Sequence, residues 1–128
     1  MTLKSTILVT FLSLSIVAVP GAHHTFFSTY AETEVAFEEV MIVSVTWVNP
    51  HTIVSFDAAD DTGKVTRWVT ETGSPSSLTR LGWNRNSVSS GDVVAVVVNP
   101  ARDGTPRGHL ALVRLPDGTV FDRRGTVQ

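Results

Sequence analysis

The sequence contains no cysteine, and this absence excludes two kinds of chemistry. A chain of 128 residues without cysteine can form neither a disulfide framework nor a thiolate nucleophile. A small domain without disulfides has to be held together by its hydrophobic core, by a closed sheet or by a ligand.

The sequence also has no excess of positive charge. The chain has 10 Lys and Arg residues against 12 Asp and Glu residues, which gives a formal net charge of −2. Proteins that bind nucleic acid usually carry a basic face. The charge balance therefore argues against a nucleic-acid partner.

Long apolar runs are missing as well, although the start of the chain is apolar. Residues 7–19 form an apolar run that is much shorter than the ~20 residues needed to span a bilayer. Lys4 precedes this run, and the small residues Gly21 and Ala22 follow it. This pattern predicts a signal peptide over residues 1–22, a periplasmic or secreted protein, and no stable membrane span after cleavage. Cleavage after Gly21 competes with cleavage after Ala22.

The rest of the chain has the alternating pattern of β-strands. A long first strand is predicted over residues 35–48, with a bulge near Glu38 and Glu39. Ser74 as N-cap and Pro75 at the first helical position predict one short helix that ends at Gly82. Further strands are predicted over residues 51–58, 64–71, 93–98, 109–115 and 119–122, with a loop over residues 99–108.

This order of elements predicts an all-β protein with one short helix. Three strands, a helix and two more strands are typical of the OB fold, a small five-stranded barrel that is partly closed. We expect the OB-like barrel over residues 35–122, behind the signal peptide, with an N-terminal segment over residues 23–34 and a tail over residues 123–128. A β-sandwich is the alternative architecture.

His23 and His24 follow the predicted cleavage site directly. Cleavage after Ala22 makes His23 the first residue, so that its α-amine and imidazole can chelate a metal ion together. Cleavage after Gly21 puts a histidine at the third position, where it can close a square-planar site with the amine and backbone amides. Both arrangements suit copper. The alternative is a solvated terminus that binds nothing.

A second group of candidates lies within the predicted barrel. His51 opens the second strand and Glu71 closes the third, so that an antiparallel hairpin brings them to one end of the barrel. Arg80 on the helix could approach the same end, and Trp83, just after the helix, is one of the tryptophans that could cover these residues. These four residues could bind a small ligand, and His51 could join His23 and His24 around a metal ion. Alternatively, the tryptophan packs in the core and Glu71 pairs with Arg80 or with backbone amides.

The motifs together resemble a known family of small bacterial exported proteins of unknown function. The pattern of that family begins AHHS and continues through WxNPH, WxxExGSPxxLxRxGW and GDxV. The sequence departs from it at Thr25, where the family has serine. The resemblance implies cleavage directly before His23. The motifs of the family include His23, His24, His51, Glu71, Arg80 and Trp83.

Three functional hypotheses follow from the sequence. The first is an exported protein that binds a small ligand or a metal ion, with copper as the best match. The second is a protein–protein interaction module of the cell envelope, with no metal or catalytic role. The third, which the sequence favours less, is an enzyme with oxidative copper chemistry, because no substrate surface and no nucleophile signature can be identified.

Overall fold

The computed structural model describes Phe26 and residues 28–123, and most of these residues lie in β-strands. The elements in chain order are β1 (Val35–Thr46), β2 (Ile53–Ala59), β3 (Val65–Glu71), α1 (Pro75–Arg80), β4 (Val93–Pro100), β5 (Arg107–Arg114) and β6 (Val120–Asp122). The predicted signal peptide lies outside the described residues. None of the helices in the described part of the chain is long and apolar enough to cross a membrane.

Five of the strands form a closed barrel, which confirms the predicted fold class. The strand order is β3-β2-β1-β4-β5-β6, and a further parallel pairing joins β3 to β5. In that pairing Val69, Thr70 and Glu71 lie opposite Arg107, Gly108 and His109. The resulting circuit β1-β2-β3-β5-β4, with α1 between β3 and β4, is the OB arrangement.

The long strand β1 takes part in both halves of the barrel. It pairs with β4 from Val35 onwards and with β2 up to Thr46, and both pairings are antiparallel. The register with β4 shifts between Phe37 and Val40, at the predicted bulge. A bulge bends its strand and increases the local twist, and the bend lets β1 pass from one half of the barrel to the other.

The helix begins and ends close to the positions that the sequence predicted. The Ser74 side chain accepts a hydrogen bond from the backbone N–H of Ser77, and Pro75 occupies the first turn. Gly82 has a φ of 91°, a left-handed conformation that glycine adopts without a steric penalty. The cap and this glycine together restrict the helix to six residues.

Phe56 is the largest fully buried side chain of the core, and two partly buried aromatic rings pack against it. The ring of Phe56 stacks on Trp68 at 6.2 Å, and Phe37 contacts both of them edge-on, at 5.6 Å and 5.2 Å. Around these rings pack aliphatic side chains that are almost fully buried, among them Ile42, Leu78, Val96, Val98, Leu110 and Val113.

The loop predicted over residues 99–108 is shorter than the sequence suggested. Strand β4 continues through Pro100, and β5 already begins at Arg107. The reason is tertiary: residues at the start of β5 pair with the end of β3 and close the barrel. The sequence pattern, rich in Pro, Gly and charge, did not reveal this pairing.

Candidate functional site

His51 and Glu71 contact each other at one end of the barrel. Glu71 is the last residue of β3 and pairs with Ile53, while His51 precedes β2 by two residues. The His51 Nδ1 atom lies 2.9 Å from Glu71 Oε2. The proximity that the hairpin predicted is therefore confirmed.

Tyr30 is the second partner of the Glu71 carboxylate. Its hydroxyl donates a hydrogen bond to Glu71 Oε1 at 2.6 Å, so that each carboxylate oxygen has a partner. Burial raises the pKa of Glu71, but the hydrogen bonds from Tyr30 and His51 outweigh burial and lower the pKa overall. Burial and the hydrogen bond to Glu71 raise the pKa of Tyr30. Glu71 is thus ionised and Tyr30 is protonated at neutral pH.

The ionised carboxylate determines the tautomer of His51. A carboxylate accepts hydrogen bonds and donates none, so His51 Nδ1 has to carry the proton in this contact. In the neutral imidazole the lone pair then lies on Nε2. The His51 side chain is 52% exposed, and this nitrogen can therefore face a ligand from solvent.

Tyr30 reaches Glu71 because the N-terminal segment docks on the barrel. Tyr30 forms an isolated β-bridge with Ala101, and the backbone N–H of Ala31 donates to the carbonyl of Pro100 at 2.8 Å. The side chain of Asn99, which is 2% exposed, donates through Nδ2 to the carbonyls of Ala31 and Glu32. These contacts hold the segment against the ends of β4 and β5.

His109 lies beside this cluster, opposite Glu71 in the β3–β5 pairing. Its ring packs edge-on against Phe26 at 5.1 Å and against Tyr30 at 5.9 Å. Arg123 donates through Nη1 to His109 Nδ1 at 3.2 Å. Burial, together with the positive charge of Arg123, lowers the pKa of His109 to about 4. His109 is therefore neutral at neutral pH, and its Nδ1 is occupied.

The structure places Trp83 and Arg80 away from the carboxylate. Trp83 is 4% exposed and packs on Phe121 at 4.9 Å, so it belongs to the core. Arg80 is exposed in the last turn of α1, and within residues 28–123 its guanidinium forms no hydrogen bond or ion pair with His51 or Glu71. The alternative pairing of Glu71 with Arg80 is not formed. Ligand roles for Arg80 and Trp83 stay predictions, and the contacts give them no support.

A protein-family model matches most of the chain. The model is described as a family of unknown function, DUF6152, and it matches residues 10–110. This chain belongs to DUF6152. The matched span includes Tyr30, His51, Glu71 and His109, and therefore most of the cluster around the carboxylate. No curated protein matches the chain, and no solved structure matches it.

The described part of this DUF6152 chain does not contain a complete metal site. Within Phe26 and residues 28–123, no group of three or more His, Asp or Glu side chains is arranged to hold a metal ion. His51 and Glu71 are close together, but the predicted ligands His23 and His24 lie outside the described residues.

Sequence reasoning missed three residues of the cluster in this DUF6152 chain. The sequence places Tyr30 in the N-terminal segment, His109 at the start of a strand and Arg123 in the tail, and none of the three is among the predicted site residues. Tyr30 and Glu71 are 41 residues apart, so no local pattern connects them. The one available signal was the barrel itself, because closing β5 onto β3 puts His109 opposite Glu71.

Proposed function

We propose that this chain is an exported protein that binds a transition-metal ion, with copper as the preferred metal, through His51 and the N-terminal histidines His23 and His24. The observation that carries the proposal is the contact of His51 Nδ1 with Glu71, 2.9 Å long, which leaves Nε2 available on a half-exposed side chain.

The chemistry of metal-binding histidines supports this role for His51. A histidine that ligates a metal through one nitrogen usually donates the other N–H to a carboxylate or a carbonyl, which fixes the ring and raises its basicity. Glu71 supplies that carboxylate, and Tyr30 holds the other carboxylate oxygen. Imidazole nitrogen is a good ligand for copper.

The covalent chain supports the participation of His23 and His24. The Phe26 ring packs on His109, and His109 is the partner of Glu71 in the pairing of β3 with β5. Two peptide units separate His24 from Phe26 and span at most about 7 Å. The length of the chain therefore permits donors from the histidine pair to reach the end of the barrel that carries His51. Cleavage before His23 would add its α-amine to the ligand set.

A copper titration tests the proposal. The full chain is expressed, the purified protein is analysed by mass spectrometry to identify its N-terminus, and Cu(II) is titrated against a competing chelator. We expect one tight site in the wild type, at least tenfold weaker binding in His51→Ala, and a loss of about 10- to 100-fold in Glu71→Gln. Electron paramagnetic resonance of the Cu(II) form should lose one nitrogen ligand in His51→Ala.

His109→Gln is the matched control, because His109 is also an imidazole in the cluster but its Nδ1 is occupied by Arg123. Its copper affinity should equal that of the wild type. Equal affinities in the wild type and in His51→Ala would remove His51 from the site. Equal affinities in the wild type and in a His23→Ala/His24→Ala double variant would refute the metal proposal.

A second candidate function is an interaction module of the cell envelope, and an exposed apolar patch favours it. Met41, Val65 and Val93 are 48%, 59% and 46% exposed, and they line one shallow groove together with Glu39 and with Asp57, whose carboxylate pairs with Arg67. Such a surface suits a partner protein with apolar and basic residues. The copper titration separates the two candidates, because an interaction module has no tight copper site.

A further inference from the structure

A cavity of about 410 Å³ lies between the N-terminal segment and the loop that joins β4 to β5. Ser28, Thr29 and Tyr30 line one side of it, and Arg102 and Arg107 contribute to the other side. We call this cavity the β4–β5 pocket. Among the described residues, His51 and Glu71 do not line it, and it adjoins the proposed metal site through Tyr30, whose hydroxyl donates to Glu71.

Backbone hydrogen bonds fix both walls of the β4–β5 pocket. The N–H of Arg102 donates to the carbonyl of Thr29 at 3.0 Å, which ties the loop to the N-terminal segment. The N–H of Ala101 donates to the carbonyl of Arg107 at 2.8 Å, and the N–H of Gly104 donates to the carbonyl of Ala101 at 3.2 Å. The pocket is thus part of the folded framework.

The charge of the pocket is positive. Two arginines face one carboxylate, that of Asp103. The hydroxyl and backbone N–H of Thr105 both donate to Asp103 Oδ1, at 2.6 Å and 3.0 Å, so this carboxylate oxygen is already engaged within the loop. Among the residues that the structure describes, the Arg107 guanidinium forms no hydrogen bond and no ion pair within 4.0 Å, although its charge lies close enough to Asp103 to help lower the pKa of that carboxyl.

We propose that the β4–β5 pocket binds a small oxyanion, a phosphate or a carboxylate, with Arg107 as its principal ligand. The planar guanidinium donates two parallel N–H groups to two oxygens of such an anion. Ser28 and Thr29 line the same space.

Amide NMR titration of the purified protein tests this proposal. Inorganic phosphate and acetate are added in separate titrations, at neutral pH and at constant ionic strength maintained with chloride. We expect saturable shifts at the amides of residues 28–30 and 101–107 with at least one of the two anions. Saturation with phosphate identifies a phosphate site, and saturation with acetate identifies a carboxylate site.

Variants of Arg107 establish that the binding is specific. Arg107→Gln should weaken binding about tenfold or more, because it removes a charge-assisted contact. Arg114→Gln is the matched control: Arg114 is the last residue of β5, exposed like Arg107 and about 23 Å away along the strand. It should bind the anion like the wild type.

Arg107→Lys keeps the charge without the planar guanidinium and should give an intermediate affinity. This variant also serves if Arg107→Gln fails to fold. The proposal is wrong if the shifts grow linearly with both anions, or if Arg107→Gln or Arg107→Lys binds as tightly as the wild type.

Discussion

The surroundings of the His109 side chain differ strongly from water. Packing against Phe26 and Tyr30 removes solvent from its ring, and the charge of Arg123 opposes a second positive charge beside it. These effects give the folded state a histidine pKa of about 4, below the ordinary value of 6.5. The folded state therefore contains the neutral imidazole of His109 at neutral pH.

This low pKa makes the stability of the protein depend on pH. Between about pH 6.5 and pH 4 the unfolded chain binds a proton at His109 that the folded chain excludes. The contribution of His109 to the free energy of unfolding is complete above pH 6.5 and is lost as the pH falls towards 4. We expect the free energy of unfolding, measured with urea, to fall by about 2 kcal/mol across this window, allowing for partial solvent screening.

His109→Gln supplies the comparison for that measurement. Glutamine keeps an oxygen that can accept the hydrogen bond from Arg123, but it does not titrate. The variant should show a clearly smaller decrease between pH 6.5 and pH 4.5. Below that window both proteins should lose stability, because the lowered pKa of Glu71 acts in both. Identical pH profiles would show that His109 is not the responsible group.

At the scale of the elements, the approach of β5 to β4 depends on Gly108. A Cβ atom at this position would lie 2.3 Å from Val98 Cγ1 and 2.8 Å from the carbonyl oxygen of Asn99. Gly108 stands between Arg107 and His109, which pair with the end of β3. The missing side chain thus allows β5 to contact β4 and β3 at once.

Gly108→Ala should therefore destabilise the fold by about 1 to 3 kcal/mol, the usual cost of adding a methyl group to a packed position. Urea unfolding gives the value. The same substitution in a Val98→Ala background should cost less, because one of the two colliding groups is removed. An equal cost in both backgrounds would assign the effect to the collision with the Asn99 carbonyl of β4 and not to the collision with Val98.

The sequence was informative about elements and uninformative about the contacts that close the barrel. The bulge in β1, the Ser74 cap and the meeting of His51 with Glu71 all follow from local patterns or from one hairpin. The partners Tyr30 and His109 arrive from distant parts of the chain. Their positions depend on the docking of the N-terminal segment on the barrel and on the parallel pairing of β3 with β5. The alternation of apolar and polar residues predicts neither contact.

At the scale of the whole molecule, a cysteine-free barrel depends on its core for stability. Phe56 is fully buried between Trp68 and Phe37. Phe56→Ala should lower the free energy of unfolding by about 3 to 5 kcal/mol, a large part of the 5 to 15 kcal/mol that is typical of small domains. The urea midpoint measures this loss. Val65→Ala, at a residue that is 59% exposed, should change it by less than about 0.5 kcal/mol.

The hydrogen bond between Tyr30 and Glu71 bears on the order in which folding and the proposed ion binding occur. It joins two residues 41 positions apart and exists only when the N-terminal segment has docked on a closed barrel. A newly made chain carries every histidine but not the arrangement that orients His51. On the proposed function, ion capture would follow folding, and a chain that opens its barrel would give the ion up. The ion would then raise the free energy of unfolding, because it binds the folded state and not the unfolded one.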